Sequence, residues 1–545
     1  MFVKRKESGS TIREAVEYHS GTSIQKLNES GSFRNVHIHN MDRAVAAVRR
    51  YFDAHPDAPV YIVGDYDSDG ICATGIMYWT MRKLQKKVIT RLPYRFSEGY
   101  GLSEKIIDEI PYGSLIITVD NGIAAIPAVK KAKEKGMTVI VTDHHLPVAD
   151  ENGSITLPEA DVIVDPAADG GLSDGADICG AAVAYRFAAE VFRSMNLDPL
   201  CVLASIATVT DVMSVTGTSR SLLKEGLGLI NGNRVLPGLR VLLQESGLYE
   251  NGTDSHITEE DYGFRIGPMF NAPGRLLDDG AETVLELLKT RSSSSDVHEQ
   301  AKKLIDLNND RKKLAREAED RAEHMITSER PIVIYDPQTG EGIIGLVAGY
   351  LTEKYGCPSI VFTKSEKDGI LKGSGRSIPQ VHLKKVLDSL DKYLIGFGGH
   401  AGAAGLSLKE EDLSDFTNAF INACQPLPEK PECAFYDIEI SVEDIPNVTE
   451  ELKKYAPYGE GNPQITFRMQ YHAKGEPRFI GDGSHLMIRE ENFTIMAFGL
   501  ADRYRALGSP ADLDMIGHIS ESWFRGSKSY RFEVIALQTR KEDGN

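Results

Sequence analysis

"APVYIVGDYDSDG", residues 58–70, decides the fold. An apolar, β-branched run ends at Val63, and Asp65, Asp67 and Asp69 follow at once. The run reads as a buried strand with acids at its carboxyl end. The pattern returns in "SLIITVD" (114–120), "MTVIVTD" (137–143) and "ADVIVD" (160–165), each closing on aspartate. Helical patterns such as "AAIPAVKKAKEKG" (124–136) lie between them. Such alternation predicts βαβ units and a parallel sheet covered on both faces, an α/β fold. Ligands of parallel sheets bind beyond the carboxyl ends of the strands. Several carboxylates are therefore expected in one crevice.

Crowded carboxylates repel, and their desolvation is costly unless a cation compensates. Oxygen ligands suit magnesium or manganese. In "VTDHHLP", His144 and His145 follow the third of these strands, and imidazole shifts the preference toward manganese or another first-row metal. A single D-x-D after a strand is often only a turn or a helix N-cap. D-x-D, then "VDNG", then "DHH", each behind a predicted strand, is much harder to explain as turns. Asp211 is the only charge in "VLASIATVTDVMSV" (202–215). A buried unpaired carboxylate is expensive, so Asp211 is expected to be paired or metal-bound.

Length and composition bound the rest. At 545 residues the chain exceeds one core, and about 150 residues per domain suggests three or four. The net charge of −18 means that any nucleic-acid site must be a local basic groove. The six cysteines are scattered with no C-x-x-C pair, which argues against zinc and against a disulfide framework. The start, "MFVKRKESGS", has no apolar signal core, and no stretch is long enough to span a bilayer. A reduced, cytoplasmic protein is the expectation.

"DYDSDG", "VDNGI", "TDHH" and Asp211 resemble, in order, the four motifs of the DHH phosphoesterase superfamily. "PYRFSEGYGL" (93–102), "CGAAVAYRF" (179–187), "NAPGRL" (271–276), "GFGGHAGAAGLSL" (396–408) and "YAPYGEGNPQITF" (455–467) narrow the resemblance to the RecJ family of single-strand-specific DNA exonucleases. It runs from about residue 20 to the end of the chain.

The resemblance implies a parallel-sheet DHH domain over 1–290 with an N-terminal arm, a connector helix over 291–329, a smaller α/β DHH-associated domain over 330–425 and a C-terminal β-barrel, an OB-fold, over 433–545. The residues agree with this division. "SDVHEQAKKLIDLNNDRKKLAREAEDRAEHMI" (295–326) has helical spacing, "RPIVIYD" (330–336) and "PSIVFTK" (358–364) restart the strand pattern, and "CQPLPEKPE" (424–432) reads as a linker. "SYRFEVIAL" (529–537) alternates in period two, which suits a barrel, and OB-folds bind single strands by a charged groove and stacking aromatics. The chain is read as stopping after the OB-fold.

The resemblance also implies the chemistry. A pair of Mn2+ or Mg2+ ions would be held by Asp67, Asp69, Asp120, His144, His145 and Asp211, with Asp120 bridging. His145 is alternatively a group behind the ligands, orienting them, or a contact to the scissile phosphate. Asp65 and Asp143 would orient water or imidazole, and helix capping is the other reading of Asp143. Water is the expected nucleophile. Arg95, Ser374 and Arg376 would seat the 5′ phosphate, with Arg275 a similar candidate. Gly399 and His400, in a glycine-rich segment read as a loop, are further nucleic-acid candidates.

In one respect the chain departs from the family. Gly340 stands where the family usually carries a histidine, ahead of the helix from Gly342 to Leu351, so slower activity or an altered substrate preference is expected. The leading expectation is a 5′→3′ exonuclease on single-stranded DNA, releasing mononucleotides in DNA repair and recombination. A single-strand-binding protein or a recombination helicase is the expected partner, the chain a monomer, and no membrane is involved. The alternatives are a phosphodiesterase on short oligonucleotides or cyclic dinucleotides, a pyrophosphatase, or a non-catalytic single-strand-binding replication scaffold. "GYGL", the connector and the OB-fold argue against tiny substrates; the full set of motif acids argues against the scaffold.

Overall fold

The computed structural model describes residues 2–539 except 29–30, 150–152, 176, 250–255, 328–329, 428–432, 482 and 525–526. Most of the expected linker, from 428 to 432, thus lies outside the described residues.

Five strands form the first sheet: β1 (Val60–Val63), β2 (Val88–Arg91), β3 (Leu115–Val119), β4 (Thr138–Thr142) and β5 (Val162–Val164). All pair in parallel, in the order β2-β1-β3-β4-β5. Four of these are the predicted apolar runs. Their side chains alternate between two cores, as period-two geometry requires. Val60, Ile62, Leu115, Ile117 and Val119 face one apolar layer, while Val63, Ile116, Val139 and Val141 face the other. The additional strand is β2. It lies on the sheet's edge, and its "VITR" side chains are half-buried or exposed, so it lacks the apolar run that marked the others.

Behind β1, Asp67 caps helix α1 (Ser68–Lys83), accepting the Gly70 N–H at 3.0 Å. Residues Ser68 to Met77 are all buried, so α1 is a central helix rather than an amphipathic surface one. It packs on α2 (Gly180–Val191) and α3 (Asp198–Thr210).

Two further helices lead from the catalytic side to the rest of the chain. A helix over Gly267–Leu276, α4, leads toward the 31-residue helix α5 (Ser295–Met325), about 45 Å long at 1.5 Å per residue. α5 packs against α4 and against α6 (Glu341–Tyr355), so it joins the two α/β units along its length. The second unit is a mixed sheet in the order β9-β10-β8-β7-β6, formed by β6 (Ile332–Tyr335), β7 (Ser359–Lys364), β8 (Ile370–Arg376), β9 (Leu394–Gly399) and β10 (Ala403–Lys409). The glycine-rich stretch read as a loop is in fact the hairpin β9–β10, turning at residues 400–402. Glycine count alone hid the period-two pairing. Gly399 has φ +143°, and a Cβ there would lie 2.3 Å from the Ala403 carbonyl oxygen, so the turn excludes every other residue.

The C-terminal unit is a seven-stranded sheet around its own core. The N-terminal segment, assigned by the sequence to the first domain, joins this core instead. Strand Phe2–Lys4 pairs in parallel with Ala434–Tyr436, and Ile12, Ala15, Val16 and Leu27 pack into the C-terminal apolar cluster. The helix over Ile12–Ser20 carries an apolar face, but nothing local says which distant surface covers it.

Between the first and last units, Arg220 is 1% exposed and donates to the carbonyls of Tyr455, Ala456 and Pro457 at 2.6–2.9 Å. The "YAPYGEGNP" segment is thereby fastened to the catalytic domain.

Candidate functional site

The strand order reverses direction between β1 and β3, and ligands of open α/β sheets bind at that point. Asp65 and Asp67 follow β1, Asp120 follows β3, and Asp143, His144 and His145 follow β4. Asp211 arrives from the carboxyl end of α3.

Asp65 is fully buried and accepts the Gly101 N–H at 3.2 Å. Asp69 receives the N–H groups of Gly180 and Ala181, both at 2.7 Å, from the first turn of α2. This helix start neutralises part of its charge. Gly180 is required there: a Cβ would come within 2.5 Å of Asp120 Oδ1. Asp120 holds φ +60° and donates its own N–H to Thr142. His144 Nε2 lies 3.1 Å from Asp120 Oδ1 and 3.6 Å from both Asp69 Oδ2 and Asp211 Oδ2.

Asp143 does not cap a helix, because none follows it. Its Oδ1 instead receives His145 Nδ1 at 2.7 Å and the N–H of His144 at 2.8 Å, while Oδ2 receives the N–H of Ile123 at 2.9 Å. Asp143 thus orients the His145 ring.

Charge states follow the packing. Burial pushes the Asp120 carboxyl well above its ordinary value, and Asp69, Asp67 and Asp211 push it further. Burial and Asp69 push Asp211 up to about 9. Burial, then Asp69, raises Asp67, and burial, then Asp67, raises Asp65. Burial lowers His144. Burial also opposes the charge on His145, but the bond and charge of Asp143 outweigh it and raise His145 to about 9. Burial likewise opposes ionisation of Asp143, and His145 overcomes it, leaving Asp143 below the usual range.

Asp65 Oδ2, Asp120 Oδ1, His144 Nε2 and Asp211 Oδ2 are buried without a hydrogen-bond partner. Unpartnered buried acceptors of this kind are costly unless a cation completes them. Asp120, His144 and His145 form one group with ligand atoms within 4.8 Å of one another, and Asp69, His144 and Asp211 form a second. The donor set of carboxylate and imidazole suits manganese, and magnesium at its oxygens. His144 is the member common to both groups.

Arginines face this cluster. Arg95 lies over the Tyr66 ring at 4.6 Å. Arg275 donates to the Gly342 carbonyl at 3.3 Å, and burial, then Arg95, Arg376 and Arg311, lower it to about 9. Arg376 touches Ser374 Oγ at 3.4 Å, both on the same face of β8. Among the described residues none of Arg95, Arg275 and Arg376 has an acidic ion-pair partner. Mutually repelling, unpaired guanidinium groups are the counterpart of the starved carboxylates, and a polyanion satisfies them. His400 sits exposed at the β9–β10 turn with Nδ1 accepting the Gly402 N–H; burial, then Arg376, lowers it. Gly340 is the N-cap of α6, and a Cβ there would meet nothing within 4 Å, so the departure from the family leaves open space.

The sequence reading missed three supports. Tyr100 donates to the Asp120 carbonyl at 2.8 Å and meets the His145 ring. Asn121 ties Val63 to Val119 through its amide, and Asn271 accepts the Ser68 N–H at 2.8 Å. Asn121 stands in "VDNG" directly behind Asp120, which was the available signal.

Three family descriptions match the chain: "DHH family, N-terminal domain" over residues 59–209, "DHHA1 domain" over 329–425 and "RecJ OB domain" over 436–536. The single-stranded-DNA-specific exonuclease RecJ of Dickeya dadantii is 32% identical over 473 residues, covering 79% of this chain and 78% of that protein. The protein of the same name from Bacillus subtilis is 34% identical over 476 residues, covering 85% of this chain but 59% of its own length. Among solved structures, RecJ of Thermus thermophilus in complex with Mn2+ superposes with a TM-score of 0.79 at 25% identity, covering 97% of this chain and 76% of that one.

Proposed function

The chain belongs to the RecJ family, and from this premise we propose that it is a metal-dependent exonuclease that degrades single-stranded DNA from the 5′ end to mononucleotides. The observation that carries the reading is the set of buried, partnerless carboxylate and imidazole atoms opposite unpaired arginines.

Asp67, Asp69, Asp120, His144, His145 and Asp211 would hold two ions, Mn2+ or Mg2+. When bound, the ions relieve charge on the phosphoryl oxygens and make a nucleophile of water at neutral pH. The protein's own groups do the rest. Asp143 fixes the ring of His145. Asp65, held by the Gly101 N–H, keeps the β1 turn in place and orients water. Arg95, Ser374 and Arg376 seat the terminal 5′ phosphate, and Arg275 adds charge beside them. A clamp for the terminal phosphate sets the cut one nucleotide in and gives the direction 5′→3′. Gly399 and His400 at the hairpin turn approach the strand by backbone and imidazole. Work in DNA repair and recombination follows from this activity.

No helix among the described residues is long and apolar enough to cross a membrane. The protein works in the cytoplasm as a monomer. Its charge of −18 favours delivery to DNA by a docking partner, a single-strand-binding protein or a recombination helicase.

Single-stranded DNA labelled at its 3′ end, incubated with the protein and manganese, tests the reading. Shortening from the 5′ end with a spared blunt duplex is expected. Tight binding without shortening would overturn it in favour of a scaffold, and cleavage of only very short oligonucleotides in favour of a small-substrate phosphodiesterase.

A further inference from the structure

A cavity of about 510 Å³ lies where the two α/β units meet, walled by α4, α5, the turn between β6 and α6, and the end of β7. Its size is that of a small-molecule site, roughly 300–1,000 Å³. Phe96, Leu276, Leu314 and Ile343 are its apolar lining, and Leu314, on α5, is 44% exposed. The turn is braced rather than loose. Asp336 accepts the Gln338 N–H and Arg321 Nε, both at 2.9 Å, Arg321 also donates to the Thr339 hydroxyl at 2.9 Å, and the Thr363 hydroxyl donates to the Thr339 carbonyl. Gly340 follows in extended backbone that any residue adopts. A Cβ there would meet nothing within 4 Å, so the cavity is open at this point because of the residue chosen and not because of strain.

Charge decides what can enter. Glu317, Glu341 and Glu366 line the cavity against Arg275, Arg321 and Lys364. Arg321 is taken by Asp336, and Glu317 lies 3.9 Å from Lys313. Glu341, the first residue of α6, has no ion-pair partner among the described residues, and burial raises its carboxyl. A polyanion therefore has no place inside, whereas hydroxyl donors do. Arg275 joins the cavity to the catalytic cleft. The charges of Arg95, Arg376 and Asp67 act on it from the cleft, and it donates to the Gly342 carbonyl at the start of α6. Arg95, Arg275 and Arg376 together bring more positive charge than one terminal phosphate neutralises. Phe96 directly follows Arg95, so an aromatic ring and a phosphate-binding group leave the backbone side by side.

Resting on the exonuclease reading, we propose that this cavity receives a ribonucleoside joined through a pyrophosphate bridge to the 5′ end of the strand, so that capped single strands are a second substrate class. The base lies against Phe96 and Leu314, Glu341 accepts from the ribose hydroxyls, and Arg95, Arg275 and Arg376 share the two phosphoryl groups. The hydrolysis is the same in kind as for a plain strand. The hydroxyl of one water joins the phosphorus of the second nucleotide, the bond from that phosphorus to O3′ of the first nucleotide breaks, and the proton goes to O3′. The first nucleotide leaves with its cap, and the strand keeps a plain 5′ phosphate.

The test uses one single strand with three different ends: a 5′ phosphate, a 5′ diphosphate, or an adenosine joined through a 5′,5′-pyrophosphate. Binding is measured in metal-free buffer and product release with manganese, for the wild type, Gly340→Trp and Leu314→Glu. The wild type is expected to bind the adenosine-capped strand about 5- to 150-fold more tightly than the diphosphate strand, the range of base–aromatic stacking, and to release the capped mononucleotide. Gly340→Trp fills the open space and Leu314→Glu charges the apolar lining. Both should lose this gain and still cut the 5′-phosphate strand as the wild type does. Equal affinity for the capped and diphosphate strands, a gain that survives either variant, or binding of the capped strand without release of the capped mononucleotide would overturn the inference. In each of these cases cleavage of the 5′-phosphate strand by the wild type leaves the exonuclease reading standing. A wild type that never cuts the 5′-phosphate strand would overturn that reading and this inference together.

Discussion

Asp437 and Asp120 are both buried aspartates, and their surroundings are opposite. Asp437 lies where the N-terminal segment meets the C-terminal sheet. It accepts from Arg5 at 3.3 Å, His19 at 3.0 Å, the Thr466 N–H at 2.8 Å and the Thr466 hydroxyl at 2.9 Å. Burial opposes its ionisation, but His19 and Thr466 overcome this and hold the carboxyl far below its usual range. Asp120 has Oδ1 without a partner and Asp69, Asp67 and Asp211 for neighbours. A buried acid with all its partners supplied by the chain is architecture. A buried acid surrounded by other acids is incomplete until a cation arrives.

The comparison can be broken by experiment. The largest effect is expected from Asp120→Ala, which should lower hydrolysis by at least about a thousandfold, because a charged ligand supports several kcal/mol of transition-state stabilisation. Single-strand binding in metal-free buffer should persist; a variant as active as wild type would remove Asp120 from the centre. Asp437→Ala should act the other way. Orphaning Arg5 and His19 is expected to cost about 3–5 kcal/mol of stability, read by chemical denaturation, while each folded molecule keeps its activity.

Acid sharpens the same contrast. The folded carboxyl of Asp437 is depressed, so its stabilisation is complete above the unfolded value of about 3.9 and is lost as pH falls through the folded value. Melting temperature should drop below pH about 4 in the wild type, with a flatter acid limb in Asp437→Asn. Manganese should stabilise the wild type by about 2.7 kcal/mol at a hundred times its dissociation constant. Asp437→Asn should keep this gain and Asp211→Ala should lose most of it, as thermal melts with and without chelator would reveal. The smallest effect is expected for Arg376→Ala, an approximately tenfold loss of preference for a 5′-phosphorylated end, the order of one charge-assisted hydrogen bond. Competition between phosphorylated and unphosphorylated strands measures it, and an unchanged preference would free Arg376 of the role.

Much of the catalytic side was legible because its signals are local. Strands buried on both faces are continuous apolar runs, so β1, β3, β4 and β5 announced themselves, and an acid behind each is visible in a few residues. Strand β2 was not legible, because its side chains are half-buried or exposed and include Thr90 and Arg91, so no apolar run marks it. Hairpin β9–β10 was hidden by its glycines. Asn271 opens the "NAPGRL" segment, but its role was not legible there, because it lies in one bond to Ser68 across 203 positions of sequence.

The amino-acid sequence by itself determined four of the five strands of the first sheet, which acids and imidazoles sit at their ends, and that such a set calls for a divalent cation. These follow from side-chain periodicity and from charge repulsion, which act between near neighbours. Only the tertiary structure decided that β1 and β3 lie side by side, that Asp211 reaches the same crevice from a helix end, and that the N-terminal segment closes on the C-terminal sheet. Strand register and the burial of one distant surface by another are relations between segments, and no single segment encodes both sides of such a contact.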